Sequence, residues 1–502
     1  MDKKIAYFSM EYALSDRAPY FAGGLGVLAA DYLLESGKQG KDFTAFGLAY
    51  QDNENALSSE GFVKKDLKIS FLGKDILVWE KDFGSAKLYL LDAGELTRIP
   101  YGPDYWTTIK QQLILAFGSI KLIKLLNLKP DVYHLNEGHT AFVAWALKED
   151  AIAPQMAGLQ HDEPRHPGTS ETSDRIYPGT KEDAIASLQH DEISLQNDII
   201  VATKHTILSQ SGLFIPKGDM QKIYEMCKAE TNESFDDFYQ QGSDENHQHL
   251  FSTNKYLFKY AVKSSGVSKL HTEFEKNVHP NSPLIAITNG INPDRWQSKL
   301  PHSEDKKALC DFFSLDENLL TIVWARRLVD YKQPELIFTD LARLPKNVQF
   351  ILAANVHTSD PASVAIAARI NNFIKDRPII FYPNYCLSTA QMLTKGADIW
   401  LNTPLVGKEA CGTSGMKAGI NGALMVSTPD GWIVENDWND LGWILSTENT
   451  ADSFYNALEK EIVPLYYDNP QLWEAQMQKT IKIIEEKYTT ARMLADYWEK
   501  LY

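Results

Sequence analysis

The chain has 502 residues, 44% hydrophobic and 23% charged, with a formal net charge of −16. That length exceeds one core and predicts two large domains, or three smaller ones, at roughly 100–200 residues each; the acidic balance excludes nucleic acid and anionic membranes as main partners. No apolar run approaches the roughly 18 residues that span a bilayer, and Cys227, Cys310, Cys386 and Cys411 are scattered without a C-x-x-C pair, the usage of free thiols in a reducing cytoplasm.

The first predicted element is the buried strand IAYFSM, after a short basic start with no apolar stretch of signal-peptide length. FAGGLGVLAADYL follows, a glycine turn opening a helix and suited to an anion or a closely approaching sugar. GGLG at 23–26 lacks the second half of a nucleotide fingerprint. KLYLLDA, DVYHLN, DIIVATKH and PLIAITNG complete the strands of the first 290 residues, and TIVWARR, QFILAAN, PIIFYPN, ADIWLNT and GALMVST read as strands in the second part. Continuous apolar runs alternating with helical patterns predict two doubly wound parallel sheets, with ligands at the carboxyl ends of the strands. The boundary falls in the polar stretch WQSKLPHSEDKK, giving domains 1–300 and 301–485, with 486–502 as a helix packing back on the first domain. The polar segment 168–191 reads as a surface insertion, and LQHDE occurs at Leu159 and again at Leu188. These His-Asp-Glu clusters could bind a metal, but solvated loops explain them better, and no metal site is predicted.

Three segments carry chemistry. In EACGTSGMKAGINGAL, small residues crowd around Lys417, with Glu409 eight positions earlier. GTSG before a helix MKAGINGAL leaves N–H groups free to face an anion, and a confined lysine can condense with an aldehyde. From this segment alone, a solvated first-turn lysine is an equal reading. WARRLVDYK places Arg326, Arg327 and Lys332 just after a strand, as a phosphate pocket or an exposed basic turn. ITNGINPDRW sets Asn289 in a tight turn and Trp296 as an aromatic platform or a core tryptophan.

Together these segments resemble the α-glucan phosphorylases, especially their short prokaryotic branch. The matching blocks are FSMEYAL, FAGGLGVLAADYL, VYHLNEGHTAF, ATKHT, ITNGINPDRW, WARRLVDYK, FYPNYCLS, ADIWLNTP and EACGTSGMKAGINGAL, in the family's order from Phe8 onward. The resemblance implies the two-domain GT-B glycosyltransferase fold with an interdomain cleft, pyridoxal 5′-phosphate as cofactor, and reversible phosphorolysis of α-1,4-glucan or maltooligosaccharide ends by inorganic phosphate to glucose 1-phosphate. It implies that Lys417 holds the cofactor aldehyde, that Thr413, Ser414, Gly24 and Arg326 surround its phosphate, and that Trp296 and Tyr385 pack near its ring. Arg327 and Lys332 would bind the substrate phosphate, assisted by the N–H groups around Leu25. Glu409, Gly412, Asn289, Tyr331 and His205 would contact the glucosyl unit, with Glu137 and His139 nearer the acceptor.

The family commonly dimerises, so a homodimer is implied. The family's N-terminal control extension is expected to be missing, because FSMEY begins at Phe8. Cys411 stands where a serine is usual, Cys386 where long forms carry arginine, and VHTSD replaces an expected glycine-rich turn, which leaves glucan length and direction open. The alternatives are a nucleotide-sugar-dependent glucan synthase-like enzyme on the same fold, needing no cofactor, and a glucan-binding homologue without catalysis.

Overall fold

The computed structural model describes residues 3–17, 21–50, 54–160, 199–206, 212–278, 282, 284–356, 360–374 and 378–502. The segment 168–191, both His-Asp-Glu triplets of the LQHDE echoes, and most of VHTSD lie outside these residues.

The first sheet has β1 (Ile5–Phe8), β2 (Phe43–Leu48), β3 (Val63–Phe71), β4 (Lys74–Phe83), β5 (Ala86–Asp92), β6 (Val132–Asn136) and β7 (Ile199–Lys204). A small antiparallel sheet of β8 (Phe214–Ile215), β9 (Ser243–Asp244) and β10 (Leu250–Ser252) stands apart, and β11 (Lys263–Gly266) and β12 (Leu284–Ala286) return to the first sheet. Its order is β12-β11-β7-β6-β1-β2-β5-β4-β3. From β12 to β5 every pairing is parallel. The sheet then departs from the all-parallel expectation, because β4 pairs antiparallel with both β5 and β3. The reason is local: Leu72 and Gly73, at φ 52 and 65, form a two-residue turn of the kind that closes hairpins with the right-handed twist of the strands.

The second sheet contains β13 (Leu320–Ala325), β14 (Val348–Ala353), β15 (Ile379–Tyr382), β16 (Ile399–Asn402), β17 (Leu424–Ser427) and β18 (Gly442–Ile444). Its order is β15-β14-β13-β16-β17-β18, parallel throughout. Every residue of β13, LTIVWA, is buried, as a strand covered on both faces requires.

Apolar clusters cover both faces of each sheet, and one of them joins the two. It holds Val27, Ile291 and Trp296 together with Val323, Met416 and Trp432. The helix Gly24–Lys38 reaches this cluster through Val27 and the first sheet's core through Leu28 and Tyr32. The chain also crosses back. Ile291 N–H donates to Tyr488 O and Thr490 N–H to Ile291 O, each at 2.8 Å. Beyond that bridge, Met493, Leu494, Tyr497, Leu501 and Tyr502 pack with Ile5, Tyr7 and Tyr32. The Tyr502 hydroxyl lies 2.8 Å from Tyr32 Oη and 2.6 Å from His134 Nδ1. The cysteines Cys227, Cys310, Cys386 and Cys411 are free thiols.

Candidate active site

Lys417 sits on the helix Ser414–Gly419, six residues long. This is shorter than the helix expected over MKAGINGAL. Gly422, at φ 93, ends the run before β17, and Gly419 packs directly on Ile484. Lys417 N–H is the first to bond within the helix, to Thr413 O at 3.1 Å. The N–H groups of Ser414, Gly415 and Met416 therefore stand outside the ladder, although so short a helix adds little macrodipole.

The Lys417 side chain is 7% exposed. Its ammonium lies over the Trp296 ring, 4.2 Å from the centroid, and among the described residues it has no hydrogen-bond or ion-pair partner. Burial lowers its pKa from 10.5 to about 8, with Asp31 opposing the shift and Arg295 adding to it. Asp31 organises this wall. It accepts from Trp296 Nε1 at 2.9 Å and Asn292 N–H at 3.2 Å, and pairs with Arg295. Asn421 Nδ2 ties the Trp296 and Lys417 carbonyls together, at 2.9 Å each. Tyr385 packs against the same cluster, and burial pushes its phenol up to about 12.

Beside this wall lies a buried charge cluster. Lys332 donates to the Glu409 carboxylate, and Arg326 lies 3.4 Å from the same oxygen. Arg326 also reaches Ser414 Oγ at 3.4 Å, while its Nε is buried with no partner among the described residues. Burial would raise the Glu409 pKa, but Lys332 and then Arg326 override it and hold the carboxyl below its ordinary value. Burial lowers Lys332 to about 8 against the pull of Glu409. Two cations thus share one carboxylate, leaving positive charge for an anion.

The loop is held in shape from beneath. Asp430 accepts the N–H groups of Lys408 and Glu409 at 3.1 and 2.9 Å. Gly412, at φ 76, has room for no side chain: a Cβ would stand 2.9 Å from Glu409 Oε1. Arg327, by contrast, is exposed at the end of β13. It shares a hydrogen bond with Tyr331, and its charge reaches both Glu409 and Glu11.

The remaining candidates come from the first sheet and its margin. Gly24 and Leu25 open the Gly24–Lys38 helix, and a Cβ on Gly23 or Gly24 would meet nothing within 4 Å. Glu137, at φ 73, accepts His205 N–H at 2.6 Å and Gly138 N–H at 3.1 Å. Burial would raise its pKa, yet His205 and His139 bring it below its ordinary value. His205 is pushed down to about 4 by burial and is neutral, with Nε2 2.7 Å from Asn136 Oδ1. His139 lies against Tyr101 with its Nδ1 buried and unpaired. Asn289 offers a buried Oδ1 with no partner among the described residues, while its carbonyl accepts from Arg492 at 3.0 Å.

The structure therefore brings Arg326, Lys332, Glu409, Gly412 and Ser414 into one cluster, Lys417, Trp296 and Tyr385 into its neighbour, and Glu137 with His205 into a third. Among the described residues no hydrogen bond or ion pair joins the third group to the others. Sequence reading missed Asp31, Asp430 and Glu11. The signal for each was a lone acidic residue inside an apolar or glycine-rich run, where a carboxylate is retained only with partners.

This arrangement, two α/β sheets meeting at a polar seam fed by strand ends, is the GT-B fold. The fold matches the catalytic domain of starch synthase IV from Arabidopsis thaliana, solved with ADP and acarbose, at a TM-score of 0.70 and 14% identity over 100% of this chain and 99% of that one. Two family models match: carbohydrate phosphorylase over residues 362–442 and starch synthase catalytic domain over 4–157. Among curated relatives, a glycogen phosphorylase of Aquifex aeolicus is 27% identical over all of this chain and 86% of its own length. A maltodextrin phosphorylase of Thermococcus litoralis is 26% identical over all of this chain and 70% of its own. An uncharacterized protein of Methanocaldococcus jannaschii is 26% identical over the whole of both. Over its whole length the chain is thus similar to α-glucan phosphorylases.

Proposed function

We propose that this chain is a pyridoxal-phosphate-dependent α-glucan phosphorylase, releasing glucose 1-phosphate from the non-reducing ends of α-1,4-glucan. The observation that carries this reading is Lys417, a buried amine with no ion pair among the described residues, beside an aromatic face and a cationic cluster. These residues fit the cofactor. Lys417 would hold the aldehyde against Trp296 and Tyr385, and Ser414, the buried Arg326 Nε and the open turn at Gly23 and Gly24 would receive its phosphate. When bound, the cofactor supplies a phosphate group that acts in acid–base partnership with the substrate phosphate.

The protein's own groups do the rest. Arg327 and Lys332, with the turn amides, bind inorganic phosphate and offset charge repulsion between two phosphates in one cleft. Glu409 and Asn289 accept glucosyl hydroxyls, and Gly412 leaves space for the ring. Cleavage passes through an oxocarbenium-like state, so the departing oxygen needs a proton and the anomeric carbon a nearby anion; inorganic phosphate serves as both. The neutral His205 cannot act as an ammonium-like acid near pH 7, which leaves that proton to phosphate. Transfer to phosphate rather than to water requires that water be kept from the seam during the reaction.

A nucleotide-sugar glucan synthase is the second reading, favoured by the starch synthase model over residues 4–157. Reconstitution with pyridoxal phosphate separates them. A bound chromophore fixed by borohydride onto the Lys417 peptide, together with phosphate-dependent glucose 1-phosphate release from maltooligosaccharides, is the expected result. Absence of both, with transfer from a nucleotide sugar, would establish the second reading.

A further inference from the structure

Glu11, in FSMEY, is 3% exposed and forms no ion pair among the described residues. Its Oε2 accepts the N–H groups of Ala22 at 2.6 Å and Gly23 at 3.3 Å. Its Oε1 accepts the Tyr101 hydroxyl at 2.7 Å. The seat is close-fitting. A Cβ on Gly26 would stand 3.1 Å from Glu11 Oε2, and Gly26 O accepts Ala13 N–H at 2.8 Å. A second hydroxyl, that of Tyr50, is buried with no partner among the described residues and feels the Glu11 charge. The cation whose charge reaches Glu11 is Arg327, from the other sheet.

We propose that Glu11 is a positioning residue for phosphate recognition: anchored by Tyr101, it draws the Ala22 and Gly23 amides inward so that the following amides of the glycine turn face an anion in the seam. Gly23 is extended, at φ −171 and ψ −159, and no side chain caps the helix that follows it. The free N–H groups at the helix start are those after the pair Glu11 holds. A Cβ on Gly23 or Gly24 would meet nothing within 4 Å, so the turn is not crowded by side chains. A buried carboxylate in such a place is costly unless its bonds are kept, so its charge serves the turn's shape and draws Arg327 to the same seam. Tyr101 also lies 5.2 Å from the His139 ring, which ties the turn to the Glu137 group.

This inference rests on the phosphorolytic reading for its phosphate arm alone. Three variants test it: Glu11→Ala, Glu11→Gln and Tyr101→Phe. The Gln side chain can still accept both amides through Oε1 and donate Nε2 to the Tyr101 oxygen. Amide hydrogen exchange of the peptide around residues 21–27, measured on the full chain, reads the turn without any reaction. Glu11→Ala is expected to speed exchange at Ala22 and Gly23 about tenfold or more, Tyr101→Phe less, and Glu11→Gln little. The phosphate KM should rise about tenfold in Glu11→Ala at unchanged glucan KM, and recover in Glu11→Gln. Unchanged exchange in Glu11→Ala overturns the proposal, whatever the enzyme does. Equal rises in phosphate and glucan KM overturn it as well, since they report a merely structural role. A parent protein without phosphorolysis would sink the functional reading, and the exchange arm would still decide for or against Glu11.

Discussion

Replacing Lys417 with methionine should make the cofactor-free protein more stable near neutral pH, although it abolishes cofactor attachment. Among the described residues the buried ammonium has no ion-pair partner, and burial lowers its pKa from 10.5 to about 8. At about 1.36 kcal/mol per pH unit, holding the charge inside costs on the order of 3 kcal/mol. The Trp296 face returns about 1 kcal/mol by cation–π attraction, so a net gain of about 2 kcal/mol is expected from an apolar side chain of similar length. Its pH dependence has a definite sign. The folded-state pKa lies below the unfolded one, so the unfolded chain holds more protons between pH 8 and 10.5, and stability rises with pH across that window. The penalty is full below pH 8 and vanishes towards pH 10.5. Urea unfolding of both proteins, stripped of cofactor, at pH 7 and pH 10 measures it through the midpoint at constant slope. Equal stabilities at pH 7, or a difference independent of pH, would refute the claim that this amine is desolvated and unpaired.

Glu409→Gln should leave Lys332 and Arg326 as buried cations facing a neutral amide, costing about 3–5 kcal/mol of stability. With its carboxylate gone, Lys332 should titrate below its present value of about 8, so the pH at which phosphate affinity declines should move down in a KM profile. Arg327→Ala, at an exposed position, should change stability by no more than about 0.5 kcal/mol while raising the phosphate KM strongly and leaving the cofactor bound; an unchanged phosphate dependence would remove Arg327 from the site. Tyr502→Phe removes a hydroxyl shared by Tyr32 and His134 and should cost about 1–3 kcal/mol in thermal unfolding, with phosphorolysis per folded molecule unaltered.

The strands carried most of the legible signal. LTIVWA and VQFILA are continuous apolar runs, and each became a buried parallel strand. Four strands of the first sheet escaped for physical reasons: β2, β3, β4 and β11, whose KSSG holds no apolar run. FTAFGL of β2 carries a threonine and a glycine that blur its run, yet it pairs with β1 near the sheet's middle. KKDLKISF and KDILVWEKDF of β3 and β4 alternate rather than run, as strands with one wet face do. In the site, GTSGMK by itself left Lys417 between a confined and a solvated reading, and the blocks of family resemblance around it decided between them. The partners of Lys417 and Glu409 were not legible, since Asp31, Trp296, Lys332 and Asp430 reach them across long sequence separations. No local pattern records that Glu409 is paired with two cations while Lys417, among the described residues, has no ion pair and feels only the Asp31 charge at a distance.

The return of residues 490–502 to the first sheet bears on how the polypeptide is made. Tyr7, Tyr32 and His134 belong to the part translated first, yet the aromatic and hydroxyl groups that enclose them, Tyr497 and Tyr502, are translated hundreds of residues later. At about 5–20 residues per second, a ribosome needs on the order of ten seconds or more to travel from the Ile291 crossing to its Thr489 counterpart. Through that interval the emerging half-molecule exposes an unfinished apolar face, the kind of surface that chaperones hold. Synthesis on a slow ribosome should therefore prolong chaperone association of this chain, and supplying the 490–502 peptide in trans to stalled nascent chains should shorten it.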